Sequence, residues 1–241
     1  MRVGPKGLER AIHDVYSACG PCSEALEELV RLLGDALPSP RGLDALAAFA
    51  RQRMAEADAA LELATRQPMT AKHRLALEQV LGKVLPDLEA ARDLLELLAE
   101  AAWAPALASP IRDLLSIRSA GELPERARLE VKLDPSLALY ELELPPSLTQ
   151  GCLSLLATEY RQRHGRGPVF QCRPQGDDLW LELNSSETPG SVLIWSRQPL
   201  IPPSLEVSAA ALEARGCTVH LGDPPRILLS KELVRSRGTD P

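Results

Sequence analysis

The stretch Leu43–Arg66, LDALAAFARQRMAEADAALELATR, carries Leu43, Leu46, Ala47, Ala50, Met54, Ala57, Leu61 and Ala64 at spacings of three and four residues. That recurrence is the signature of a helix with one apolar face. Gln67-Pro68 ends it, since proline brings no N–H and disfavours helix in the residue before it. Thr70 then offers an N-cap, and a second helical run to Trp103 carries Leu75, Leu77, Val80, Leu81, Val84, Leu85, Leu88, Ala91, Leu94, Leu95 and Leu98. Pro86 lies inside it and predicts a kink. Upstream, Leu8 to Leu33 also reads as helix, broken at Gly20-Pro21, and Pro38-Ser39-Pro40-Arg41-Gly42 links it to the hairpin. Two helices joined by a short turn cannot bury stripes this wide against each other alone. The expectation is a homodimer sealed by the hairpin; the alternative is a closed, monomeric three-helix bundle.

Past residue 105 the pattern changes. A short helix at Ile111–Arg118 is followed by strand-like alternation at Arg128–Leu133 and Leu139–Leu144. Pro145-Pro146-Ser147 opens a helix through His164, ended by Gly165 and Gly167. Strands are expected at Pro168–Cys172, Asp178–Leu183 and Ser191–Arg197, then a helix at Ser204–Arg215 and strands at Cys217–Leu221 and Arg226–Leu229. Strands and helices interleaved without regular βαβ repeats predict an α+β fold, a mixed sheet with helices on one face. The organisation read from this is an N-terminal helical extension (1–42), a dimerisation-like helical hairpin (43–104), an α/β sandwich (105–233) and a flexible tail (234–241).

The chain has 241 residues, 45% of them hydrophobic but only 3% aromatic, so the core must be Leu, Ala and Val. A net charge of −6 argues against a nucleic-acid footprint. No apolar run reaches membrane-span length and Met1 to Lys6 shows no signal core, which predicts a cytoplasmic protein without a membrane contact. Five scattered cysteines do not suggest a disulfide framework.

The order of elements resembles the core of a bacterial sensor histidine kinase, a dimerising hairpin followed by a GHKL-type ATPase sandwich. Leu43–Arg53 looks like the family's first hairpin helix and Asp87–Leu95 the end of its second. Arg126–Pro135 resembles the first strand of the ATPase domain, Gln150–Glu159 the N-box helix, and Leu205–Leu221 with Arg226–Leu229 the closing helix, glycine turn and last strands. The likeness spans residues 43 to 233.

The departures from that pattern bear on function. The phosphoacceptor His aligns with Gln52, whose amide has no nucleophilic nitrogen. The magnesium-binding Asn aligns with Thr158, a poor ligand for a hard octahedral cation. The adenine-reading box falls on Asn184–Gly190, with Ser185 in place of its Asp. The second glycine-rich box is replaced by Ile201-Pro202-Pro203-Ser204, and prolines lack the amides that cradle phosphate. The interval from Gly190 to Ser204 is short for an ATP lid. The resemblance with these losses implies a non-catalytic signalling adaptor, a pseudo-histidine-kinase with no cofactor or metal. Its expected partner is a response-regulator receiver domain or another signalling protein. The alternative is a histidine phosphotransferase relaying phosphate between response regulators; a more distant one is a divergent GHKL ATPase.

Receiver domains dock on the hairpin in the resembled family, which points to Phe49, Gln52, Arg53 and Glu56 as the partner-binding residues, with an exposed Phe49 at the centre. The bland alternative packs Phe49 in the core. Cys19-Gly20-Pro21-Cys22 matches a redox C-x-x-C in letters, but no strand precedes it, so a helix break with incidental thiols is the better reading. His13 and His73 are the histidines that a phosphotransferase would need on the helices, and each also reads as a plain surface histidine. His164 suits the end of its helix, where a positive charge meets the helix dipole. No Ser-His-Asp arrangement or carboxylate cluster is visible.

Overall fold

Pro40 and Ser39 start the first hairpin helix at Arg41, ahead of Leu43. The Pro40 carbonyl accepts from the Asp44 amide at 2.8 Å, and Ser39 Oγ accepts from the Arg41 amide at 3.4 Å. In this computed structural model, which describes residues 28, 30–66, 70–115, 130–164, 168–185 and 200–236, that helix is α1 (Arg41–Arg66). The antiparallel α2 (Ala71–Trp103) begins at the expected cap, where Thr70 Oγ1 accepts from the His73 amide at 3.3 Å. It runs unbroken through Pro86. Proline there denies a partner to the Gly82 carbonyl four residues back, but Gly82 and Pro86 are both exposed, so water can take the freed group.

The α1 stripe is buried within one chain. Leu43, Leu46, Ala47, Ala50, Met54, Ala57 and Leu61 are all in the core, as are Leu77, Leu81, Val84, Ala91, Leu94, Leu95 and Leu98 of α2. Leu33, in a helical segment at 30–36, and Leu37 join the same apolar cluster. So do Val207, Ala210 and Ala211 of α5 (Ser204–Glu213), which packs on both hairpin helices. The stripes therefore do not require a second copy to cover them. Leu75 and Val80, assigned to the stripe by periodicity, are instead exposed, at 57% and 38%. Phe49 is 8% exposed, so the exposed aromatic expected at the centre of a partner surface is a core residue.

The remainder is the α+β layer the alternation predicts. A five-stranded mixed sheet has the order β2-β4-β5-β7-β6, made of β2 (Glu130–Leu133), β4 (Pro168–Gln175), β5 (Asp178–Ser185), β7 (Arg226–Leu229) and β6 (Cys217–His220). Only β2 and β4 are parallel. Gly176, with φ +65°, turns β4 into β5 and sets Gln175 opposite Asp178. From that register Phe170 and Cys172 of β4 and Leu179, Leu181 and Leu183 of β5 face inward with Ile227 and Leu229 of β7. They pack in one cluster with α4 (Pro146–His164) and α5. Gln171, Arg173, Trp180, Glu182, Asn184 and Arg226 take the other face.

A second, three-stranded sheet contains one strand that alternation predicts, at Tyr140–Glu143, between two that it does not. It joins β1 (Ala108–Pro110), β3 (Tyr140–Glu143) and β8 (Val234–Ser236), with the short α3 (Ile111–Leu115) following β1. The tail expected to be flexible from residue 234 thus begins as a strand paired to β3, where Arg235 and Glu143 form a 2.7 Å ion pair. The expected strand at Ser191–Arg197 and the end of the helix at Ile111–Arg118 lie outside the described residues.

The hairpin and the sandwich meet closely. A methyl group added at Gly42 would lie 2.8 Å from Ala210 Cβ and 2.8 Å from the Glu206 carbonyl, so α1 and α5 cross where only glycine fits. Arg215, just after α5, donates through Nη2 to the carbonyls of Glu100 at 2.7 Å and Ala104 at 2.5 Å, capping the end of α2. Burial pulls the Arg215 pKa down from its ordinary value.

Candidate functional site

On α1, Gln52 is exposed and its amide donates to Glu56 Oε1 at 3.1 Å. Arg53 Nη1 donates to Glu56 Oε2 at 2.6 Å, and its Nε lies 2.9 Å from Asp87 Oδ2 on α2. That second contact is an ion pair at close range, without the alignment of a hydrogen bond. The guanidinium also sits 4.9 Å from the centre of the Phe49 ring. The Arg53 hydrogen bond, and after it that of Gln52, hold the Glu56 carboxyl below its usual range. The four residues singled out on this helix are thus brought together, and the Arg53–Asp87 pair ties α1 to α2. Gln52 and Glu56 face solvent; Phe49 and Arg53 do not.

The second region is the start of α5, where the resemblance puts the phosphate cradle. Pro202 and Pro203 have no N–H. The Ile201 amide donates to Ser204 Oγ at 3.0 Å, and the Ser204 amide donates to the Ile201 carbonyl at 2.9 Å. Both flanking amides are spent inside the turn. Ser204 is buried, and its carbonyl accepts the Ser208 hydroxyl at 2.8 Å, which fixes the turn further. On α4, the Thr158 hydroxyl donates to the Ser154 carbonyl at 2.7 Å, a helix-internal bond. On β5, the Asn184 amide is within 3.4 Å of Gln171 Oε1 across the strand pair. Residues 186–199, on which the resemblance would place the rest of the adenine-reading box and most of the lid interval, lie outside the described residues.

Between the end of α4 and the β6–β7 loop is a cleft of about 20 Å³, lined among others by Tyr160, His164, Leu221 and Asp223. That is room for little more than one water. His164 Nε2 is 3.2 Å from Asp223 Oδ1, and the His164 ring packs on Tyr160 with centres 4.3 Å apart. His164 therefore closes this cleft against the loop, a partner that its helix-end position alone did not reveal.

His73 is exposed in the first turn of α2. His13, Cys19 and Cys22 lie outside the described residues. Cys152, Cys172 and Cys217 are free and buried. Burial pushes the Cys172 and Cys217 thiols up to about 12 and Cys152 higher still, so at neutral pH none is a nucleophile. Among the described residues no three His, Cys, Asp or Glu side chains gather as a metal site, and no helix is long and apolar enough to cross a membrane.

No family model matches the chain, and no curated protein matches it. Among solved structures it is similar to the Acinetobacter baumannii histidine kinase AdeS, with 14% identity and a TM-score of 0.38, over 78% of this chain and 96% of that one.

Proposed function

We propose that this protein is a non-catalytic signalling adaptor, built like a histidine-kinase core and acting through contacts with a receiver domain or another signalling protein in the cytoplasm. The observation that carries the reading is the turn Ile201–Ser204. Phosphate binding at a helix start needs free backbone amides. Of the four positions Ile201–Ser204, two have no amide and the other two amides are bonded within the turn, which leaves only the first-turn amides of Leu205 and Glu206. Gln52 at the phosphoacceptor place and Thr158, bonded to its own helix, support the same conclusion.

The proposal includes a homodimer. Because the hairpin stripes lie inside one chain, its interface is drawn from the outer hairpin face, where Leu63 and Leu75 are 73% and 57% exposed beside the turn. Light scattering of the purified chain decides this part, and a monomer at micromolar concentration removes it.

Millimolar Mg-ATP tests the main claim by thermal shift. A ligand at a hundred times its dissociation constant stabilises by about 2.7 kcal/mol. For a chain of this size that is a rise of roughly 5–11 °C in Tm. The expected rise is none, and a clear one refutes the adaptor reading. The phosphotransferase alternative now rests on exposed His73 among the described helices. Acid-labile phosphate on that residue after incubation with a phosphorylated receiver domain would establish it.

A further inference from the structure

The outer face of the five-stranded sheet is not a plain solvated surface. Register places Arg173, Trp180 and Leu228 in one row across β4, β5 and β7, and Gln171, Glu182, Arg226 and His220 in the next. Glu182 Oε2 accepts from Arg173 Nη2, and Oε1 accepts from Arg226 Nε at 3.1 Å. The two guanidiniums thus converge on one carboxylate from opposite strands. The Glu182 side chain is 11% exposed beneath them, whereas Arg173 and Arg226 are 53% and 52% exposed. Trp180 stands beside the triad, its ring near-parallel to that of His220 at 5.8 Å.

These groups surround a half-open depression of about 370 Å³ lined by Arg173, Pro174, Gln175, Trp180, Glu182 and Arg226. That volume is within the range of small-molecule sites. Two arginines against one glutamate leave one positive charge in excess, in a chain whose net charge is −6. Of the nearby acids, Asp177 and Asp178 keep their negative charge but make their contacts with Lys231. Asp178 Oδ1 accepts from the Lys231 amide at 3.0 Å, and Asp177 lies 3.6 Å from the Lys231 ammonium. A guanidinium held in place by a buried carboxylate keeps its remaining donors pre-aimed, which lowers the ordering cost of binding a second oxyanion. Trp180 and Pro174 add an apolar wall that hydrated phosphate alone would not use.

We propose that this depression binds a small aromatic oxyanion, an aryl phosphate or aryl carboxylate, with its anionic group across Arg173 and Arg226 and its ring against Trp180. The site lies on the sheet face opposite α4 and α5, and it is independent of the signalling reading.

Titration of the full chain, followed by calorimetry and tryptophan fluorescence, tests the site with four probes: phenyl phosphate, benzoate, inorganic phosphate and benzyl alcohol. One of the aromatic anions should saturate, and the two single-feature probes should bind at least roughly tenfold more weakly, because each lacks one of the two contacts. Arg173→Gln keeps the Arg226–Glu182 pair and so the sheet; it should weaken the aromatic anion by at least fivefold, and Trp180→Leu should do the same with little change for inorganic phosphate. Saturation by neither aromatic anion up to about 10 mM, a range in which even millimolar affinity would show, overturns the proposal. So does binding that both substitutions leave unchanged.

Discussion

The seam between the hairpin and the sandwich and the outer face of the five-stranded sheet are held by different forces. At the seam, α1, α2 and α5 share one apolar cluster, α1 and α5 cross at Gly42, and a single arginine caps the end of α2. On the outer face, the described contacts join polar or aromatic side chains from different strands, with Glu182 between two half-exposed arginines. Loss of packing is not repaired by solvent, whereas water and salt replace or screen much of a surface ion pair. The seam should therefore dominate stability, and the outer face should be available for binding at little cost to the fold.

The sharpest way to break that contrast is at Phe49. Its removal from a position 8% exposed should cost about 3 kcal/mol, at the low end of Phe→Ala changes in cores. Calorimetry should then show Tm of Phe49→Ala lowered by roughly 6–12 °C. A change under about 2 °C, less than 1 kcal/mol at this chain length, would return Phe49 to the surface and restore it as a docking residue.

Gly42→Val comes next. Glycine in a helix is disfavoured by about 1 kcal/mol relative to alanine, so on propensity alone the substitution should not harm α1. Its Cβ, however, meets the Glu206 carbonyl and Ala210 Cβ at 2.8 Å, and a backbone carbonyl cannot swing aside. Overpacking of this kind should cost about 2–3 kcal/mol. If urea denaturation shows Gly42→Val to be as stable as the original chain, α1 and α5 do not cross there.

Arg215→Met keeps most of the apolar stem and removes the two hydrogen bonds to the end of α2. Bonds from a charged donor suggest a loss of about 2 kcal/mol. Hydrogen exchange should locate it, with faster exchange in the last turns of α2 and unchanged protection in the β4–β5 pair. Uniform loosening would mean that Arg215 does not act locally.

These sites also show how far the sequence could be read. The hairpin was legible because Leu43, Leu46, Ala50 and Ala57 repeat at helical spacing, and β5 because Leu179, Leu181 and Leu183 alternate with Trp180, Glu182 and Asn184. What period cannot give is the element that covers an apolar face. The α1 stripe reads the same whether a second chain or an element of the same chain lies on it, so period leaves Phe49 open between a partner surface and the core, and the stripe open between a dimer and a closed bundle. Gly42 looked like a linker residue because its reason is a contact made by residues 206–210, far along the chain. The outer-face cluster was half visible. Alternation places Trp180 and Glu182 on one face, but pairing them with Arg173 and Arg226 requires the register that the Gly176 turn and the β5–β7 pairing set. Likewise His164 could be assigned to a helix end, while Asp223 beside it comes from a loop beyond β6.

The smallest expected effect is on the outer face and concerns pH. Burial alone would raise the Glu182 carboxyl, but the hydrogen bond from Arg173 and the charges of Arg226 and Arg173 outweigh it, and its pKa lies below the ordinary value. Glu182 is buried beneath its two arginines, but both are half-exposed on the outer face, so solvent screens much of the interaction and its contribution should not exceed about 1 kcal/mol. The sign follows from linkage. A carboxyl whose folded pKa is below its unfolded value stabilises above the unfolded pKa, near 4.3 for Glu, and that stability fades as pH falls through the folded pKa. Glu182→Gln should thus melt a few degrees below the original chain between about pH 5 and pH 7, since each kcal/mol is worth about 2–4 °C here. Below the unfolded pKa the gap should begin to close, and it should vanish once pH has passed the lower folded pKa and the original carboxyl is protonated. Added salt should narrow the neutral-pH gap, as it would not for Phe49→Ala or Gly42→Val. A gap constant with both pH and salt would make Glu182 a packing residue, and the outer face would then resemble the seam after all.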